Sequence, residues 1–222
     1  MISVAIDGPA GAGKSTLSRK VAAELGFIYV DTGALYRAVG LKFIGKDADT
    51  ELKVDIEGIL AETKVDIRFV DGEQRVFLDG EDVSDKIRTP EVSMMASAVS
   101  AKPPVRAYLL EMQRKLAREN NVIMDGRDIG TVVLPNATVK IFLTASAEDR
   151  SRRRYEELKL KNQDVTYKEV YDDMVKRDYN DSHRDIAPLK PAEDSVIADT
   201  TGFEFEESLA LLLSIIREKA EI

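Results

Sequence analysis

A short stretch near the amino terminus has residue types and spacing that are typical of phosphate binding. Residues 8–16 are Gly-Pro-Ala-Gly-Ala-Gly-Lys-Ser-Thr, and they match G-x-x-x-x-G-K-[ST] at Gly8, Gly13, Lys14 and Ser15. Glycine lets the backbone curve closely around an anion, and the amino end of a following helix favours negative charge. Lys14 can then contact the β- and γ-phosphates of a nucleotide, while Ser15 offers its hydroxyl to Mg²⁺. The residues predicted to hold a triphosphate are Gly8, Pro9, Ala10, Gly11, Ala12, Gly13, Lys14, Ser15 and Thr16.

Two aspartates are candidates for the carboxylate that reaches the metal ion. Asp125 follows a predicted buried strand, in the position where enzymes with such a loop place an acidic residue near Mg²⁺. Asp7 follows the first predicted strand and is a competing candidate. The pattern leaves both open, and we favour Asp125 together with Ser15 as the metal site.

Four arginines lie close together at Arg150, Arg152, Arg153 and Arg154. On a helix, three of them share one face at i, i+3 and i+4, while Arg152 points elsewhere. Like charges on one face of an acidic protein favour an anionic ligand such as a polyphosphate, because guanidinium groups match phosphate oxygens. The alternative is a solvated face whose charge is offset by neighbouring acidic residues.

A second charged group consists of Arg177, Asp181 and Arg184, which are spaced to share one helical face. It is either a surface ion pair or a hydroxyl-binding carboxylate between phosphate-binding arginines. The single histidine, His183, is interpreted as solvated, since phosphoryl transfer does not need it. These parts suggest transfer of a γ-phosphoryl group to an anionic acceptor, which depends on positioning and charge neutralisation.

The elements that must position these residues follow a βαβ order. An apolar run at 2–6, a helical pattern at 14–25 and a second apolar run at 27–30 complete one βαβ unit around the glycine-rich loop. Further strands are predicted at 122–124, 139–143 and 196–198. Helices are predicted at 90–101, at 105–119 after a break at the two prolines, from 147 onward as one long charged helix, and at 205–219.

A polar segment, 31–37, follows the second predicted strand and begins another helix. The carboxyl ends of parallel strands form the edge where open α/β sheets bind ligands. Asp31 or Thr32 could also simply cap the helix, and the two roles are compatible.

Residues 60–98 interrupt the βαβ order. Alternating apolar residues at 65–70 and 74–78 are followed by Asp-Gly at 71–72 and again at 79–80. Asp-Gly between alternating segments is a strong signal for antiparallel hairpins. We therefore interpret 60–98 as an insert that contributes to a ligand pocket and lies outside the parallel sheet.

Composition narrows the class of protein. The 222 residues are 44% hydrophobic and 32% charged, which suits one soluble α/β domain with a small appendage. A net charge of −8 argues against a general nucleic-acid binder, and the absence of cysteine excludes disulfides and thiolate catalysis. The amino terminus leads directly into a predicted strand, and no apolar run approaches the roughly 20 residues of a membrane span. We expect a cytoplasmic protein without a membrane segment.

Together, residues 8–14, 31–37, the hairpin insert, Asp-Gly-Arg-Asp-Ile-Gly at 125–130, and 177–184 resemble the bacterial cytidylate kinase family. The resemblance covers essentially the whole chain. It implies a P-loop nucleoside-monophosphate kinase fold, with a five-stranded parallel sheet flanked by helices, the 60–98 insert on the monophosphate side and a helical lid at about 150–180. The implied reaction is transfer of the γ-phosphoryl group of ATP to CMP or dCMP with Mg²⁺. We also expect residues 1–222 to form a single kinase core that acts as a monomer.

The resemblance also implies roles for individual residues. The CMP phosphate would be held by Thr32, Arg37, Arg127 and Arg184. The cytosine would be read by Ser97, Arg106 and Asp128, and the sugar hydroxyls by Arg177 with Asp181. Arg153 and Arg154 belong to the segment that resembles the lid over ATP. The implied catalytic residues are Lys14, Arg127, Arg153, Arg154 and Arg184.

Three other functions are weighed against this one. A related kinase of the same fold could act on another monophosphate or a small alcohol. A GTPase-like switch would need an N/T-K-x-D guanine motif, which the sequence lacks. A binding module without turnover does not explain the arginines and Asp125, since both suit a charge that develops during transfer.

Overall fold

The structure is a computed structural model that describes residues 1–70 and 73–222. Its strands are β1 (Ser3–Asp7), β2 (Ile28–Asp31), β3 (Val65–Val70), β4 (Glu73–Leu78), β5 (Glu81–Asp82), β6 (Val122–Gly126), β7 (Val139–Thr144) and β8 (Val196–Asp199). Its α-helices are α1 (Lys14–Leu25), α2 (Thr32–Ile44), α3 (Ile56–Ala61), α4 (Pro90–Ser100), α5 (Pro103–Glu119), α6 (Ala147–Leu160), α7 (Tyr167–His183) and α8 (Phe205–Ala220). A short 3₁₀ helix (Lys86–Arg88) and one π-helical turn (Ile129–Val133) complete the described elements.

Five parallel strands form the central sheet in the order β2-β6-β1-β7-β8. The register places Asp7 opposite Gly126 and Asp31 opposite Asp125, so the carboxyl ends of three neighbouring strands meet at one edge. One face packs against α1 and α8, and the other packs around Met124 and the π-helical turn. The predicted five-stranded parallel sheet between helices is confirmed.

A second sheet is antiparallel, with the order β3-β4-β5. Asp79 (φ 52°) and Gly80 (φ 91°) both have positive φ between β4 and β5, as a tight primed turn requires. The other predicted Asp-Gly turn, 71–72, lies outside the described residues. This sheet shares a core with α2, α4 and α5 around the fully buried Phe43, Ile87 and Leu109. The predicted hairpin strands are confirmed, whereas the boundaries of the 60–98 insert stay a prediction.

The region after residue 147 differs from the single long helix that the sequence suggested. Helix α6 ends at Leu160, and Asn162 takes a left-handed conformation with φ 55°. Helix α7 then begins with a capping box in which Thr166 accepts from the backbone of Glu169 and the Glu169 side chain accepts in return. These caps satisfy backbone groups that a continuous helix would bond internally.

Two further differences concern helix starts. The predicted break between α4 and α5 is present, but it falls at 101–102, and α5 begins at Pro103 instead of after the two prolines. Proline is tolerated there because the first turn of a helix needs no backbone N–H donors. Helix α3 was not predicted, and its amino end is capped by the Asp55 side chain, which accepts from Gly58 N. In the part of the chain that is described, none of the helices combines the length and apolar character needed to cross a bilayer.

Candidate active site at the carboxyl edge of the parallel sheet

The glycine-rich loop connects β1 to α1, as predicted. Gly8 has φ 151°, and a Cβ there would collide with the carbonyl oxygen of Leu143 on the neighbouring strand, so only glycine fits. Lys14 is the first residue of α1, and its buried ammonium donates to the carbonyl oxygen of Pro9 at 2.7 Å. Burial, with Arg127 nearby, lowers the pKa of Lys14 to about 7. The loop thus presents a buried amine next to backbone amides at a helix amino end.

Asp125, at the end of β6, lies next to the first turn of α1. The Ser15 hydroxyl donates to Asp125 Oδ2 at 2.8 Å, and the Tyr29 hydroxyl donates to Oδ1 at 3.2 Å. The carboxyl is 4% exposed, and burial followed by the nearby Asp31 raises its pKa to about 6. This hydroxyl–carboxylate pair brings together two of the oxygen ligands that Mg²⁺ prefers.

Asp7 has a different environment from Asp125. Its two carboxylate oxygens accept from the backbone amides of Ile129 and Gly130, each at 2.7 Å. Burial raises the pKa of Asp7 to about 6, and the two amides partly oppose that effect. Because both oxygens bind the backbone, Asp7 is suited to holding the turn after Asp128. Of the two candidate aspartates, only Asp125 contacts the Ser15 hydroxyl.

The segment between β6 and the π-helical turn carries an arginine and an aspartate that face different partners. Arg127 Nε donates to Asp181 Oδ2 of α7 at 2.7 Å. Asp128 is buried; it pairs with Arg106 of α5, and Arg184 Nη2 lies 3.6 Å from its Oδ1. Burial raises the pKa of Asp128, and the two arginines oppose that rise. Residues distant in the sequence therefore form one charged cluster beside the glycine-rich loop.

The start of α2 contributes a third group. The buried Thr32 hydroxyl donates to the carbonyl oxygen of Asp125 at 2.7 Å. Asp31 caps the helix by accepting from Ala34 N at 2.9 Å, and its other oxygen accepts from Arg37 Nη2 at 2.9 Å. Capping by Asp31 is thus confirmed, and Thr32 and Arg37 both lie at the sheet edge.

Gln74 of β4 joins the second sheet to this edge. Its side-chain oxygen accepts from Asp31 N at 2.8 Å, and its Nε2 donates to Asp31 O at 3.3 Å. A single amide thereby pairs with both backbone groups of one residue on an edge strand. No sequence pattern singled out Gln74 or the tyrosine that contacts Asp125, because both contacts depend on tertiary packing.

Four predicted site residues form no hydrogen bond or ion pair with this cluster among the described residues. Ser97 and Arg177 are exposed on α4 and α7. Arg153 Nη2 donates to the carbonyl oxygens of Thr200 and Phe203 at 2.9 and 3.2 Å. Arg154 pairs with Glu157 on its own helix at 2.7 Å. The roles of these four residues toward nucleotides stay predictions.

Arg150 differs from the other arginines of α6. The sequence placed it on a face that calls for an anion, but its guanidinium is buried and paired with Asp178 of α7 at 2.7 Å. A protein carboxylate, rather than a ligand, balances this charge. Helical periodicity identifies the face of Arg150 and does not identify a partner on another helix. His183 is exposed and stacks on Tyr179 with ring centroids 4.0 Å apart, in keeping with a solvated histidine.

Comparisons with known proteins point to one family. The sequence model of the family described as "Cytidylate kinase" matches residues 4–218. A protein named cytidylate kinase from Caldicellulosiruptor bescii is 55% identical over 214 residues, which are 96% of this chain and 95% of that protein. One of the same name from Carboxydothermus hydrogenoformans is 51% identical over 219 residues, 99% of each chain. A solved structure of an uncharacterized protein from Eubacterium ventriosum superposes with a TM-score of 0.55 at 13% identity, covering 98% of both chains, and shows a shared fold.

Proposed function

The chain belongs to the cytidylate kinase family, and on that premise we propose that it transfers the γ-phosphoryl group of ATP to CMP or dCMP, giving ADP and CDP or dCDP. The observation that carries the proposal is the meeting of two groups at one sheet edge. Lys14, Ser15 and Asp125 lie together at the glycine-rich loop, an arrangement that suits a phosphate chain with its metal ion. Beside it, the cluster around Asp128 offers buried arginines for a second, anionic molecule.

On the donor side, the loop amides and Lys14 hold the phosphates of ATP. Ser15 and Asp125 would hold Mg²⁺, which neutralises charge on the transferring group when it is bound. Their contact at 2.8 Å already places a hydroxyl and a carboxylate oxygen together beside the loop. The chain's own contribution is electrostatic, because phosphoryl transfer requires alignment and charge stabilisation more than covalent chemistry.

On the acceptor side, Thr32, Arg37, Arg127 and Arg184 are assigned to the CMP phosphate. Arg37 Nε and Arg184 Nη2 are buried and have no hydrogen-bond partner among the described residues, so both have donors available for a ligand oxygen. The cytosine is assigned to Ser97, Arg106 and Asp128. The sugar hydroxyls are assigned to Arg177 and Asp181.

Cytosine recognition has a simple chemical basis in this cluster. Arg106 can donate to the O2 and N3 acceptors of cytosine, and Asp128 can accept from its N4 amino group. In the structure the two side chains satisfy each other, so they are positioned together before a base arrives. A site built on such hydrogen bonds rejects bases that leave its polar groups unpaired.

The lid arginines, Arg153 and Arg154, are assigned to the ATP phosphates and the developing charge. Both lie on α6, the first helix of the region around 150–180. Helix α6 packs against α7, and Tyr155 meets Tyr167 edge to face with centroids 6.1 Å apart. We propose in addition that the protein acts in the cytoplasm as a monomer and binds no nucleic acid, in line with its net charge of −8.

A substrate panel tests the proposed reaction. We expect ADP release from ATP and Mg²⁺ to depend on CMP or dCMP, with UMP weaker and AMP inactive. The measurement is a coupled assay of ADP release with each monophosphate in turn, and ATP alone is the control. Strong turnover of AMP or dTMP without turnover of CMP would assign the chain to another acceptor.

Replacing Asp7 with asparagine tests the proposed support of the turn after Asp128. The amide keeps one acceptor oxygen but presents an NH₂ group to a backbone N–H, so one buried amide loses its partner. Losing such a bond costs about 1–3 kcal/mol of unfolding free energy. We expect that loss in chemical denaturation, with a rise of roughly tenfold in the KM for CMP. Asp66→Asn, on an exposed side chain, is the matched control, and an unchanged stability for Asp7→Asn would contradict the proposed support.

A further inference from the structure

Arg150 is a buried charge to which the proposed reaction gives no role. It is 6% exposed, and it lies on α6 facing away from solvent. Taking a guanidinium out of water is costly unless its charge and its N–H groups are matched. Its contacts therefore show what the fold uses it for.

Three groups from three parts of the chain match the Arg150 guanidinium. Nη1 donates to the carbonyl oxygen of Ala10 in the glycine-rich loop at 2.8 Å. Nε donates to the carbonyl oxygen of Ala145, just after β7, at 2.9 Å. Nη1 also lies 2.7 Å from Asp178 Oδ2 of α7. The planar fork of arginine spans these positions, which a lysine ammonium would not.

The glycine-rich loop also packs directly against α7. A Cβ at Gly11 would lie 2.7 Å from the Met174 side chain and 3.2 Å from Arg150 Cβ, so the loop backbone rests against both helices. Met174 is buried and lies one turn before Asp178. A shift of α7 therefore cannot leave the loop unaffected, since close-packed contacts transmit displacement.

The same helix carries acceptor-side residues. Asp181 lies one turn after Asp178 on α7, and it accepts from Arg127 at 2.7 Å. Polar contacts thus run from Ala10 through Arg150 to Asp178, the backbone of α7 connects Asp178 to Asp181, and Asp181 contacts Arg127. Together they join the loop assigned to ATP with the arginine assigned to the CMP phosphate.

We infer that Arg150 and Asp178 are positioning residues that couple the ATP site to the CMP site, an inference that rests on the proposed function. Phosphates bound in the loop fix the carbonyl of Ala10, the Arg150–Asp178 pair passes that constraint to α7, and α7 orders Asp181 and Arg127. Coupling between two binding sites is reciprocal, so CMP favours ATP binding by the same factor.

The test measures that factor directly. The Kd of CMP is determined by isothermal titration calorimetry with and without a saturating non-hydrolysable ATP analogue and Mg²⁺. For the unaltered protein we expect the analogue to tighten CMP binding by roughly 5- to 150-fold. For Arg150→Met and Asp178→Asn we expect the analogue to change the Kd of CMP by no more than about twofold. The double variant should show no further loss of coupling, because the two residues act as one unit.

Matched controls separate coupling from folding. Arg152→Met removes an exposed arginine of the same helix whose one ion pair among the described residues is with Asp149, and it should keep the coupling factor of the unaltered protein. Arg150→Met leaves the half-buried Asp178 carboxylate without its arginine, whereas Asp178→Asn keeps an acceptor for Arg150 and the double variant removes both charges. Far-ultraviolet circular dichroism and thermal unfolding establish which variants are folded.

Two results overturn the inference. One is a coupling factor of one in the unaltered protein, and the other is an unchanged factor in the folded variants. Failure of the unaltered protein to phosphorylate CMP would instead contradict the proposed function. Normal CMP turnover together with an unchanged factor in Asp178→Asn would contradict the coupling role alone.

Discussion

Replacing Asp128 with alanine is expected to raise the KM for CMP by about 100-fold or more, while the KM for ATP stays within roughly threefold. Asp128 is the buried carboxylate between Arg106 and Arg184, and it is the assigned acceptor for the cytosine amino group. Without it, the base loses a hydrogen bond and two guanidinium groups lose their counter-charge. Steady-state kinetics with each substrate varied at saturating levels of the other give both constants.

The contrast between the two KM values decides this role. Equal increases for CMP and ATP would contradict base recognition and point to a general disturbance of the sheet edge. Breaking a buried ion pair costs about 3–5 kcal/mol, so the unfolding free energy is measured alongside. Asp128→Asn keeps the shape of the side chain and one acceptor oxygen. Its KM for CMP should therefore lie between those of the unaltered protein and of Asp128→Ala. Asp66→Ala removes an exposed aspartate and should change neither constant.

The donor side could be predicted from the sequence because it is built from neighbouring residues. The strand, the loop and the helix amino end are continuous in the chain, so the motif itself contains the geometry that holds a phosphate. Gly8 illustrates this, since its positive φ and its approach to Leu143 are what the pattern demands of that glycine. The preference for Asp125 over Asp7 also followed from strand position, and the contact with Ser15 supports it.

The acceptor side depends on contacts that no local pattern contains. Arg127 meets Asp181, and Asp128 meets Arg106, across distances in sequence that only the folded chain closes. The family resemblance predicted which residues bind CMP, whereas their contacts with other side chains became visible only in the folded structure. The Arg177, Asp181 and Arg184 spacing predicted one helical face, yet Asp181 faces an arginine of another segment, and Arg184 follows the end of α7.

The arginines of α6 show that helical periodicity predicts which residues share a face but does not predict what their side chains contact. Four arginines in five positions suggested an anion site, but each of them has a protein partner in the structure: Asp178 for Arg150, Asp149 for Arg152, two carbonyl oxygens for Arg153 and Glu157 for Arg154. The buried one, Arg150, is held most tightly. Arg153 and Arg154 are only half-buried, and their role in a lid stays a prediction.

Replacing Lys14 with methionine is expected to lower kcat by roughly 100- to 1,000-fold or more. The side chain keeps its length and apolar stem but loses the buried ammonium at the start of α1. Burial lowers the pKa of this amine to about 7, and the negative phosphates of ATP favour its charged form again. The ammonium can then stabilise the negative charge that moves onto the leaving phosphate oxygens during phosphoryl transfer. The measurement is kcat from ADP release at saturating ATP, Mg²⁺ and CMP.

The control for this variant lies on the same helix. Lys20→Met removes an exposed ammonium of α1 that lies 3.7 Å from Glu24, and it should leave kcat within about twofold, because an exposed pair of this kind contributes little. A Lys14→Met protein that keeps its kcat and raises only the KM for ATP would show that the ammonium binds the substrate and the transition state equally. We would then infer that the arginines, and not Lys14, stabilise the charge of the transition state. A loss of kcat with a nearly unchanged KM would instead place Lys14 among the groups that act chiefly on the transition state.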